Sequence, residues 1–118
     1  MRPKVYVETS VISYLVARRN QRDLLVASNQ ELTQEWWENR RGSFELCVSA
    51  VVLAEASRGD QTFAAARTVV ASELTLVETS KTAMELASAL IQRAGLPPNA
   101  YEDALHIAVP LRQAWIIC

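Results

Sequence analysis

Lys4-Val5-Tyr6-Val7-Glu8-Thr9-Ser10-Val11-Ile12 is the stretch whose reading decides the fold. Its first half is an apolar, β-branched run, which predicts a strand buried on both faces. At Glu8 it passes into hydroxyl residues and then a helical apolar pattern, with Thr9 and Ser10 placed to serve as the helix N-cap. Glu8 therefore stands where a central strand ends and a helix begins. Open α/β sheets bind ligands at that edge. A carboxylate there has two roles open to it: chemistry in the crevice, or complementing the positive end of the following helix.

Working outward, Val11, Ile12, Leu15 and Val16 recur at helical spacing until Arg18-Arg19-Asn20-Gln21 interrupts them. A second amphipathic helix is expected from about Asp23 to Arg40, with Leu25, Leu32 and Trp36 near one face. Arg40-Arg41-Gly42 resembles a helix end. Phe44–Val48 is the second strand candidate, and Ser49 is placed to cap a short helix that carries Glu55 and stops at Gly59. Phe63–Ala71 reads as helix and Leu74–Val77 as a third strand. Thr79 or Ser80 caps the next helix, which ends at Gly95. Leu96-Pro97-Pro98 is a rigid turn. Asn99 and Glu102 have capping-box spacing at the start of a last helix, in which Pro110 would remove the bond to the His106 carbonyl. Ala114–Cys118 has strand composition. Strands alternating with helix pairs predict a single α/β domain, a mostly parallel sheet with helices on both faces.

The bulk composition narrows the function. The chain has 118 residues, half of them apolar and about a fifth charged, which fits one globular domain. No apolar run is long enough to span a bilayer, and no secretory signal pattern is present, so a cytoplasmic location is expected. Cys47 falls in an apolar run and reads as a core residue, Cys118 is remote from it, and only one histidine exists, which argues against zinc. The formal net charge is −1, so contact with nucleic acid must be local, through a few arginines or a bound metal, and not through a broad basic face.

Three acids share one kind of address. Glu8 follows the first strand, Glu55 lies on the helix after the second, and Asp103 opens the helix after the Pro-Pro turn. Parallel strands bring their carboxyl ends to one edge, so the three can meet in one crevice. Carboxylates brought close in a partly dry site repel one another, and a hard divalent cation removes that repulsion. Mg²⁺ or Mn²⁺ takes oxygen ligands and keeps waters, the chemistry needed to hydrolyse a phosphodiester.

V-Y-V-E-T-S-V-I-S-Y-L, V-S-A-V-V-L-A-E-A-S-R-G and N-A-Y-E-D-A-L-H-I-A-V resemble three successive acidic motifs of the PIN-domain family, and more narrowly its VapC toxin-type members. The resemblance implies a three-layer α/β/α sandwich and a Mg²⁺- or Mn²⁺-dependent ribonuclease site. Carried over residue by residue, it makes Glu8, Glu55 and Asp103 the catalytic metal ligands, with Glu8 where the family more often has Asp. Ser10 matches a small polar residue that orders the first turn. Glu102 and His106 are auxiliary candidates, although capping also accounts for Glu102 and a structural hydrogen bond to the nearby acid or backbone for His106. Arg18, Arg19, Arg22 and Arg58 are candidates to hold RNA phosphates, with solvated surface as the plainer account. Tyr101 and the tryptophans suit base stacking less well than packing.

The expected activity is thus RNA hydrolysis by the toxin of a type II toxin–antitoxin pair, with a cognate antitoxin and a homodimer as partners. The family pattern continues past the third acidic helix, and R-Q-A-W-I-I-C does not resemble that continuation. With one choice of codons, a shifted frame through Ala114–Cys118 spells Met-Asp-Tyr-Leu, so a truncated, frameshifted end with its last strands missing or altered is expected. The competing expectations are a catalytically weakened PIN scaffold used for binding or dimerisation, and an unrelated small α/β protein with incidental acids.

Overall fold

The computed structural model describes the backbone of residues 2–113 and 116–117 and the side chains of residues 2–110. Four parallel strands, β1 (Lys4–Tyr6), β2 (Glu45–Ser49), β3 (Thr75–Val77) and β4 (Ile116–Ile117), form one sheet in the order β3-β2-β1-β4. Val5 lies opposite Leu46 on one side and Ile116 on the other, and Cys47 lies opposite Thr75. The first connection holds α1 (Thr9–Val16) and α2 (Leu24–Arg40), and the second α3 (Ala50–Ala56) and α4 (Gln61–Ser72). The third holds α5 (Lys81–Ala94) and α6 (Tyr101–Gln113).

The chain steps from β1 to β2 to β3 in one direction, then returns across the sheet to place β4 on the far side of β1. Crossovers between parallel strands are right-handed, so reversing direction puts the last helix pair on the opposite face. Packing agrees: α1 through α4 pack mainly among themselves, and α5 packs chiefly on α6. The three-layer α/β/α architecture follows, and the crevice where the direction reverses lies at the carboxyl end of β1. Val5, Tyr6 and Val7 are all buried, as a strand covered on both faces requires. Together with Ile12, Val48, Val52 and Val109 they form the centre of the core.

Several local expectations are corrected. Thr9 is the first helical residue and Ser10 is exposed; the N-cap of α1 is Glu8, in extended conformation and without a side-chain capping bond. Ser49 occupies the N-cap of α3, yet its hydroxyl caps nothing. Asp23, Asp60 and Ser80 do cap, accepting from backbone N–H groups of α2, α4 and α5. Asn99 makes no capping box, because Pro98–Ala100 form a 3₁₀ turn ahead of α6. Gly42 also lies in a 3₁₀ turn, whereas Gly95 ends α5 in the left-handed conformation expected of it, with φ of 68°.

α2 is not amphipathic in the sense expected. Trp36 is half-buried and stacks on Phe44 with ring centroids 5.9 Å apart, but Leu25 and Leu32 are 71% and 60% exposed. Pro110 is buried inside α6, which continues to Gln113. The strand expected over Ala114–Cys118 is seen as Ile116–Ile117; Ala114, Trp115 and Cys118 lie outside the described residues.

Candidate acidic site at the carboxyl edge of β1

β1 ends at Tyr6, and Val7 carries the extended backbone one residue further by donating to the Cys47 carbonyl at 2.8 Å. Glu8 then turns the chain into α1, and its carboxylate has no hydrogen-bond partner among the described residues. Next to it, Thr9 Oγ1 donates to Glu55 Oε1 at 2.5 Å. Glu55 sits in the last turn of α3, reached directly from β2, so two adjacent strands deliver the two acids to the same edge.

The same Oε1 takes a second contact. His106 Nε2, from α6 on the opposite face, lies 2.6 Å from it. The other ring nitrogen, Nδ1, lies 2.8 Å from the Tyr6 hydroxyl, which is also 2.9 Å from Ser49 Oγ. Ser49, Tyr6, His106, Glu55 and Thr9 thus form one continuous hydrogen-bonded chain joining β2, β1, α6, α3 and α1. Tyr6, Ser49 and His106 are buried, where an unpaired polar group would cost about 1–3 kcal/mol. Burial, followed by the nearby charges of Glu55 and Glu8, raises the Tyr6 phenol to about 12, against the lowering effect of the Ser49 bond. The phenol therefore keeps its proton at neutral pH and serves as a donor.

Asp103 is exposed at the start of α6 and has no described side-chain bond. Its neighbour Glu102 is engaged elsewhere: both its oxygens accept from the Arg58 guanidinium at 2.9 Å, tying the end of α3 to the start of α6. The Arg58 hydrogen bonds hold the Glu102 carboxyl below its ordinary range. Arg67 in turn donates to the carbonyls of Ala56 and Arg58, securing the turn after α3. Of the expected phosphate-binding arginines, Arg58 is thus held in an ion pair and Arg19 lies 3.9 Å from Glu31. Arg18 and Arg22 are exposed on the loop after α1. Tyr101, Trp36 and Trp37 pack against the core, in keeping with the packing account.

The oxygen donors at this edge suit a hard cation: the Glu8 carboxylate, unpartnered among the described residues, and Glu55 Oε2, which is left over when Oε1 accepts twice. Yet no three or more His, Cys, Asp or Glu side chains among the described residues are grouped closely enough to hold a metal ion. Glu8 and Glu55 fit as donors, and Asp103 is not drawn in to complete a group. Sequence reasoning placed His106 beside an acid but expected Asp103 as the partner. It missed Tyr6 and Ser49, whose signal was a hydroxyl-bearing ring inside an aliphatic strand and a serine at the matching strand end.

A parallel α/β domain that brings two acids to the carboxyl edge of its central strands has them where open α/β sheets bind ligands. The PIN domain family model matches residues 5–117, and the chain belongs to that family. PIN domains are generally nucleases that act on nucleic acid and typically use divalent metals. No curated protein and no solved structure matches the chain. No helix among the described residues is long and apolar enough to cross a membrane.

Proposed function

We propose that this chain is a metal-dependent endoribonuclease of the VapC type, the toxin of a type II toxin–antitoxin pair acting in the cytoplasm. The observation that carries the reading is the pair Glu8 and Glu55 at the carboxyl edge of the central strands, with one Glu55 oxygen doubly hydrogen-bonded and the other without a partner among the described residues. Glu8, Glu55 and Asp103 would hold Mg²⁺ or Mn²⁺, with Asp103 approaching from α6. The bound ion would supply activation of water and charge stabilisation at the leaving oxygen. The residues present do the rest. Thr9 and His106 fix the Glu55 carboxylate, Ser10 lines the first turn of α1, and Arg18, Arg19 and Arg22 offer cations to phosphates along an approaching strand. Arg58 would join them on leaving Glu102. A homodimer and a cognate antitoxin are the proposed partners.

A second reading is a weakened PIN scaffold used for binding or dimerisation. Its support is that no three-acid group is assembled among the described residues. One experiment separates the two: cleavage of a mixed set of single-stranded RNAs with Mg²⁺ or Mn²⁺, with Asp103→Asn run beside the native chain. Metal-dependent cleavage, abolished by chelator and by the substitution, is the expected result. Metal binding without cleavage would favour the scaffold reading.

A further inference from the structure

The chain from Ser49 to Glu55 has a direction, and that direction is set from its carboxylate end. Glu55 Oε1, in the ionised form of its carboxylate, can only accept. Thr9 supplies one donor to it, and His106 Nε2, at 2.6 Å, must supply the other. In a neutral imidazole a proton on Nε2 leaves Nδ1 as an acceptor. The Tyr6 hydroxyl at 2.8 Å then donates to Nδ1 and can only accept from Ser49 Oγ at 2.9 Å. Each group is satisfied once, in one order: Ser49 to Tyr6, Tyr6 to His106, His106 to Glu55. The opposite tautomer would face a ring lone pair to a carboxylate oxygen and lose that bond, while the phenol would turn to accept from the ring and donate to Ser49.

We propose that Tyr6, anchored by Ser49, is a positioning residue that holds the His106 ring in place through Nδ1 while Glu55 itself keeps the proton on Nε2, and that His106 in turn locks the Glu55 carboxylate with Oε1 occupied and Oε2 presented to the crevice. Glu55 then offers a cation one oxygen, in one orientation. Partners of this kind, one bond removed from a ligand, are commonly worth about 10–100-fold in metal affinity or activity. The ligand role of Glu55 rests on the function proposed above; the direction of the hydrogen-bonded chain does not.

That difference makes the test divisible. His106 is the only histidine in the sequence, so its two ring nitrogens give an unambiguous pair of ¹⁵N signals. In the native protein the neutral ring is expected to carry its proton on Nε2. Tyr6→Phe keeps the ring in the core and removes the donor. It should leave the proton on Nε2, displace the Nδ1 signal as its hydrogen bond is lost, and weaken Mn²⁺ binding about 10-fold, measured by calorimetry on the metal alone. Ser49→Ala is the milder companion, with an effect of the same sign. His106→Gln, which can donate to Glu55 and accept from Tyr6, should retain more Mn²⁺ affinity than His106→Leu. A native ring protonated on Nδ1, or on both nitrogens throughout, overturns the proposal. So does a Tyr6→Phe variant whose Nδ1 signal and Mn²⁺ affinity both stay native. A native chain with the Nε2 proton in place that binds no Mn²⁺ overturns the nuclease reading and the Glu55 half of the proposal, while an Nδ1 signal displaced in Tyr6→Phe still supports the role of Tyr6 on His106.

Discussion

Two apolar residues that sequence pattern alone would place in the core are separated by the structure, and truncating each to alanine puts a number on the difference. Ile12 on α1 is fully buried beneath the site, whereas Leu25 on α2 is 71% exposed. Ile12→Ala removes three carbon atoms from the core. At about 0.8 kcal/mol per buried carbon the transfer loss is about 2.4 kcal/mol. The cavity left behind raises the total into the range of about 2–5 kcal/mol. Leu25→Ala removes side chain already in water and should cost about 0.5 kcal/mol or less. Urea unfolding followed by circular dichroism reads both. With a slope of about 1–3 kcal/mol per molar, a loss of about 3 kcal/mol lowers the midpoint by roughly 1–3 M at unchanged slope. The Leu25 variant should unfold with the native chain. Equal midpoint losses in the two variants would refute the placement of α2, because they would mean that Leu25 is packed.

Alkaline titration tests the burial of Tyr6. Its phenol is raised to about 12 in the fold, so its contribution to stability is complete below about 10, the unfolded value, and is lost as pH rises through about 12. Stability should fall over that window by up to about 1.4 kcal/mol per pH unit, and Tyr6→Phe should flatten the fall and remove the latest part of the tyrosinate absorbance rise. Gln30 is buried on α2, where its amide donates to the Arg18 carbonyl and accepts from the Asn20 N–H, pinning the loop between α1 and α2. Gln30→Ala should cost about 1–3 kcal/mol by leaving both backbone groups unpaired, and faster amide exchange at Asn20 is the direct readout.

The parts of this fold that were legible in the sequence are those where local pattern and global burial agree. The β-branched run at Val5–Val7 reads as a two-sided buried strand because it is one. The Gly95 stop is visible because a helix end in left-handed conformation selects glycine almost regardless of context. α2 misled because Leu24, Leu25 and Leu32 carry the residue type of a core face without an element packed over them, and helical spacing records type, not partner. The site divided in the same way. Glu8 and Glu55 could be assigned to the strand-end edge from alternation alone. By pattern Thr9 and Ser49 are helix caps, since a hydroxyl at a helix start most often caps. Their actual partners, Glu55 and Tyr6, lie more than forty residues away along the chain, and nothing in a local window reports such a bond. His106 was noticed beside Asp103, one turn away on its own helix, while its real acid comes from a different layer.

The Tyr6–His106 bond joins residues separated by 100 positions, between the first strand and the last helix. Synthesis proceeds from the amino terminus, so β1, β2 and the helices between them are available to associate well before α6 exists. Until α6 arrives, Thr9 is the one partner of the Glu55 side chain among the described residues, and Ser49 the one partner of the Tyr6 phenol. The geometry of the acid is therefore a property of the finished fold. It comes into being when α6 docks, once loop closure over 100 positions has been met by packing against α5 and the sheet.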